Sequence, residues 1–240
     1  MTSSPPSNAG PVLTGLARAA IAETLQTGQF AGTGWPQSGP DSPGVGPDSP
    51  GVGPSARAVA PRGVAAPAAA GERAADGATR TAPAAGSEAF LDRPGAAFVT
   101  LTQGGELRGC IGSLEAWRPL RQDVRANARA AAFDDPRFAP LGVGELDRTR
   151  IEVSVLSAPK PVVFADRDDL LAQLRPGVDG LILTAPGGRG TFLPQVWEQL
   201  ETPELFLAHL VRKAGLPSGY WSDRVRVERY SVTAFEEPPR

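Results

Sequence analysis

The chain has 240 residues with 24 basic and 26 acidic side chains, a formal net charge of -2. That near-balance argues against broad nucleic-acid binding, which draws on many Lys and Arg contacts to phosphates. One cysteine, Cys110, excludes an internal disulfide framework and a Cys-only metal cluster, and no apolar run approaches the roughly 20 residues needed to span a bilayer.

The N-terminal segment lacks a basic stretch followed by an apolar one, so no secretory signal is expected and the default location is the cytoplasm. Leu13, Leu16, Ala17, Ala20, Ile21 and Leu25 recur at helical spacing and predict an amphipathic helix over 12–27, stopped by Gly28. The composition then changes abruptly. Residues 31–87 contain 11 Gly and 9 Pro and no Leu, Ile or Phe, and they repeat DSPGVGP at 41–47 and 48–54. Such a segment cannot bury enough apolar surface to offset the entropy of ordering it, so 31–87 is expected to be a disordered insertion. The folded unit should comprise 11–30 and 88–238.

From Ala97, FVTLTQ and ELRGCIG flank Gly104-Gly105 and predict a hairpin, because paired glycines accept the positive φ of a tight turn. Pro119 suits the first position of a helix through Leu120, Val124, Ala128 and Ala131. DDPRFAPLG reads as a turn-rich link. IEVSVL at 151–156 alternates, with Ile151, Val153 and Val155 on one face and Glu152 and Ser154 on the other. Asp166 can cap a short helix reaching Leu174. The strand GLILTA, a glycine-rich turn at 186–190, the strand TFL and a helical turn opened by Pro194 follow. TPELFLAHLVRKAG gives the clearest helix, capped by Thr202 and stopped by Gly215. Val225 and Val227 mark a final strand. The pattern predicts an α+β fold: a mixed, largely antiparallel sheet with flanking helices and a smaller lobe.

Cys110 lies between Gly109 and Gly112, where a backbone can approach a ligand closely, and alternation sets Arg108 on its face. The thiol could be a nucleophile held as thiolate by Arg108, or a small buried hydrophobe. His209 could be a general base or a packed imidazole. Glu152 could act as acid, base or acceptor if its face lines a cleft, and is merely solvated otherwise. Phe192, Pro194, Gln195 and Trp197 could line a pocket, with Gln195 as its polar element, or pack the core. Gly187, Gly188 and Gly190 around Arg189 lack the Lys-Ser/Thr of a phosphate loop and read as a hairpin turn. No CxxxCxxC, GxSxG or GxGxxG motif occurs. With one His and one Cys, a zinc site would need carboxylates. Neither a metal nor a cofactor is expected.

LRGCIGSLE at 107–115, AAFDDPRFAPL at 131–141, IEVSVLS at 151–157, GVDGLIL at 177–183, GTFLPQVWEQL at 190–200 and FLAHLVRKAGLP at 206–217 together resemble the AMMECR domain family, in its order. The resemblance makes LRGCIG the signature segment. Bacterial members carry the name AmmeMemoRadiSam system protein A. That name implies two companions, a radical S-adenosylmethionine enzyme and a Memo-type protein. Three functions follow as expectations. The chain is an accessory partner handling a small substrate for those companions in a cleft at the LRGCIG strand, or an enzyme with Cys110 as nucleophile assisted by Arg108, Glu152 or His209. Otherwise it is a nucleotide-, RNA- or protein-binding module using Arg108 and Arg189.

Overall fold

The computed structural model describes residues 5–28 and 88–238, so the expected disordered insertion at 31–87 lies outside the described residues. Helix α1 (Gly10–Thr27) buries Leu13, Ala17, Ala20 and Ile21 and ends on Gly28 at φ 61°, the left-handed conformation that glycine adopts without penalty. Strands β1 (Ala96–Gln103) and β2 (Glu106–Gly112) form the expected hairpin, with Gly104 and Gly105 both at positive φ. Helix α2 (Leu120–Phe133) follows, and Pro119 serves as its cap, one position earlier than expected. Strand β3 (Thr149–Leu156) pairs with the far edge of β1.

The second half contains β4 (Lys160–Pro161), α3 (Arg167–Gln173), β5 (Gly180–Ala185), β6 (Gly188–Phe192), α4 (Pro203–Lys213) and β7 (Arg226–Tyr230). Asp166 and Thr202 cap α3 and α4 by accepting the backbone N–H groups of Asp169 and Leu205. A last strand, β8 (Val232–Glu236), lies beyond the final strand that the alternation of Val225 and Val227 predicts.

The class is α+β, and the strands divide between two four-stranded sheets, ordered β2-β1-β3-β8 and β4-β7-β5-β6. Among the described residues every strand pairing is antiparallel. The odd-numbered side chains of β1 and β3 face α1 and α2, giving a first core that includes Leu13, Ile21, Val99, Leu101, Val124 and Val153. Leu181 and Leu183 face α3 and α4, giving a second core with Leu170, Phe206 and Leu210. The remaining faces meet through Ala96, Leu156, Ile182 and Tyr230. Alternation dictates this: those residues point away from the helices of their own sheet.

Two crossovers join the sheets side by side. β3 leads to β4 through Ser157, and β7 leads to β8 through Ser231. The Ser157 N–H donates to the Ser231 carbonyl (2.9 Å), and the Ser231 N–H donates to Ser157 Oγ (3.0 Å).

Candidate functional site

Cys110, Thr100 and Glu152 form one row across β2, β1 and β3 on the helix-free face of the first sheet. The Thr100 hydroxyl lies 3.5 Å from Cys110 Sγ, and Ser154 Oγ donates to Glu152 Oε1 at 2.9 Å. Burial pushes the Cys110 thiol up; the Thr100 bond and Arg137 oppose this, while Asp135 and Glu152 add to it. The resting thiol is therefore neutral, and the row presents a thiol, a hydroxyl and a carboxylate without an activated nucleophile.

Arg108 does not lie beside the thiol. Between Leu101↔Gly109 and Thr102↔Leu107 the register slips, and Arg108 is the additional residue of a β-bulge. The alternation that would align it with Cys110 is broken there. Its guanidinium donates to Glu145 through Nε (3.4 Å) and Nη2 (3.2 Å). The Gly142 N–H first, then Arg108, hold the Glu145 carboxyl at about 2.

The flanking glycines admit parts of the protein itself. A Cβ on Gly109 would lie 2.1 Å from the Ala131 carbonyl oxygen of α2, and one on Gly112 would lie 2.2 Å from the Phe98 ring. The cation near Cys110 is Arg137, from the segment read only as a link. Asp135 is buried, accepts the Cys110 N–H at 2.9 Å, and is gripped by Arg137 Nε (2.9 Å) and Nη2 (2.7 Å). Arg137 Nη2 also donates to the Cys110 carbonyl at 3.2 Å. β2 is an edge strand, and this pair occupies the outward backbone N–H and carbonyl of Cys110. The signal available in the sequence was the adjacent carboxylate and guanidinium in DDPRF.

The other expected residues lie in the second half. Trp197 is buried, stacks on Phe206 at 3.8 Å between ring centroids, and donates its indole N–H to the Asp179 carbonyl at 2.7 Å. Phe192 meets the same Phe206 edge-on at 5.3 Å. Both belong to the second core, and Gln195 is exposed beside them. His209 sits half-buried on α4, across the second sheet from the helix-free faces, so it is not brought to Cys110. Gly188 and Gly190 are explained by α4: a Cβ on Gly188 would lie 1.9 Å from the Ala214 carbonyl oxygen, and one on Gly190 2.8 Å from the Ala214 nitrogen. Arg189 is ion-paired with Glu115. Among the described residues no group of three or more His, Cys, Asp or Glu could hold a metal ion, and no helix is long and apolar enough to cross a membrane.

A cleft of about 300 Å³ opens between the helix-free faces. Leu114, Glu115 and Ala116, immediately beyond the LRGCIG strand, form one wall; Leu156, Ser157 and Ala158 form the floor; Ile182, Glu228 and Tyr230 form the opposite wall. The Glu115–Arg189 pair bridges the walls. Cys110 and Glu152 are outside the lining: Glu152 lies four residues from Leu156 along β3, about 13 Å in an extended strand. The wall segment is held by Asp123, fully buried on α2, which accepts Ser113 Oγ (2.7 Å), Arg118 Nε (2.7 Å), Asn127 Nδ2 (2.9 Å) and the Ala97 N–H (2.8 Å).

Fold and site define an α+β protein of two antiparallel sheets with a small-molecule-sized cleft between them. The AMMECR1 family model matches residues 65–235, and the chain belongs to that family. A protein of Saccharolobus islandicus is 44% identical over 155 residues, covering 62% of this chain and 68% of that protein. One from Methanothermobacter thermautotrophicus is 40% identical over 156 residues, covering 62% and 79%. The crystal structure of an uncharacterized protein from Pyrococcus horikoshii superposes with a TM-score of 0.62 at 27% identity, covering 97% of this chain and 93% of that one.

Proposed function

We propose that this chain handles a small substrate in the cleft between the sheets, as an accessory partner of a radical S-adenosylmethionine enzyme and a Memo-type protein. The observation that carries the substrate half is the cleft of about 300 Å³ whose wall continues directly from the LRGCIG strand. Its mixture of apolar walls with a few convergent polar groups suits a small organic molecule. The partnership rests on membership of the AMMECR1 family, together with the two companions that the resemblance implies. In this reading Cys110, Thr100 and Glu152 shape the sheet face leading to the cleft, and Asp135 and Arg137 hold the edge strand in place.

The alternative of a Cys110 nucleophile is weakened by a thiol that burial pushes up and by the engagement of Arg108 with Glu145. An anion-binding module is weakened because Arg108 and Arg189 each have a carboxylate partner. The test is anaerobic reconstitution with both companions, following small molecules by mass spectrometry. Turnover that needs this chain, and falls when Ala158→Trp narrows the cleft, is expected. Turnover unchanged when the chain is omitted contradicts the reading.

A further inference from the structure

Among the described residues, one charge in the cleft has no counter-charge. Of its charged lining groups, Glu115 and Arg189 neutralise each other. Tyr230 is also committed: its hydroxyl donates to the Phe192 carbonyl at 3.0 Å and lies 3.2 Å from Thr191 Oγ1. Glu228 is half-buried on β7, opposite Ile182 in register and two residues from Tyr230 on the same face. Its carboxylate forms no ion pair or side-chain hydrogen bond with another described residue.

The neighbouring arginines do not serve it. Arg229 points to the other face, reaching the Gln173 carbonyl at 3.4 Å and Asp179 at 4.0 Å. Arg226 shares the face of Glu228 but donates to the carbonyls of Asp223 (2.9 Å) and Val225 (3.0 Å). A carboxylate withdrawn partly from water among Leu156, Ala158 and Ile182 gains most from a mobile cation that brings its own hydrogen-bond donors.

We propose that the ligand of this cleft is a small organic amine, protonated at neutral pH, with Glu228 as its counter-ion and the apolar walls holding its carbon skeleton. This rests on the reading of the cleft as a ligand site and adds the ligand's charge class.

The test titrates the full chain with phenethylamine, 2-phenylethanol and 3-phenylpropionate, three probes of similar size and different charge, following backbone amide resonances. Phenethylamine should bind tightest and shift the signals of Ile182 and Tyr230. Glu228→Gln, an isosteric change on a strand face, should weaken it about tenfold while moving 2-phenylethanol by less than about twofold. The proposal is overturned if the amine binds no more tightly than the alcohol, if the carboxylate binds tightest, or if Glu228→Gln leaves amine binding unchanged. Alcohol or carboxylate binding in the cleft would then leave the ligand site standing and remove only the amine. If none of the three shifts the cleft signals, the amine assignment also falls, and the reconstitution decides the cleft separately.

Discussion

Cys110 is surrounded by groups that position its backbone more firmly than they activate its sulfur. Desolvation keeps the thiol protonated, and the carboxylates of Asp135 and Glu152 reinforce it. Alkylation by iodoacetamide should therefore be slower at pH 7 than for a free-cysteine peptide, and should accelerate only above the ordinary thiol range. A rate already at its plateau near pH 7 would reveal an activated thiolate and restore the nucleophile. Asp135 carries the complementary prediction. Burial would raise its carboxyl, but Arg137 and the Cys110 and Arg137 N–H groups outweigh that and hold it at about 2. A carboxyl depressed in the folded state stabilises above its unfolded value near 4, and that contribution disappears as pH falls toward 2. Asp135→Ala should cost about 1–3 kcal/mol at pH 7, and the loss should shrink between about pH 4 and pH 2 in acid titrations of stability. Equal losses at both ends of that range would mean the carboxylate charge contributes nothing.

At the level of elements, local chemistry was readable where it repeats or caps. The 3.6-residue period of α1, the Thr202 cap of α4 and the paired glycines of the β1–β2 turn each act within a few residues. β4 and β8 escaped because nothing local marks them: β4 has two residues, and in β8 only Phe235 is buried. The bulge at Arg108 was hidden for a related reason, since a register slip is a property of two strands and alternation is a property of one. Glycines in β-hairpins were also only half legible. Gly188 looks like turn chemistry, yet its lack of a Cβ is required by the Ala214 carbonyl. Gly188→Ala should destabilise by more than about 2 kcal/mol through overpacking of α4 on β6. Gly144→Ala, which meets nothing within 4 Å, should stay within about 0.5 kcal/mol. Chemical denaturation of the two variants side by side checks this, and equal effects would remove the packing explanation.

For the whole molecule, the α+β class followed from the element pattern, but the division into two sheets did not. β7 and β8 are separated by Ser231 alone and enter different sheets, while β8 pairs with β3 some eighty residues earlier. Those choices are made by long-range burial, through Leu156, Ile182 and Tyr230, which no window along the chain contains. The cleft is a consequence of that arrangement, so Glu228, Tyr230 and Ser157 gave no sign in the sequence, whereas the LRGCIG resemblance led to the adjoining wall. Cys110, Glu152 and Arg108 lie outside the cleft lining, and His209 lies across the second sheet. The central claim is that this cleft holds a small molecule. Native mass spectrometry of the full chain and of Ala158→Trp, purified in parallel from the same host, tests it most directly. A bound small molecule on the first, lost from the second with its fold intact by circular dichroism, is predicted. The same molecule retained by both would place the binding elsewhere and contradict the account.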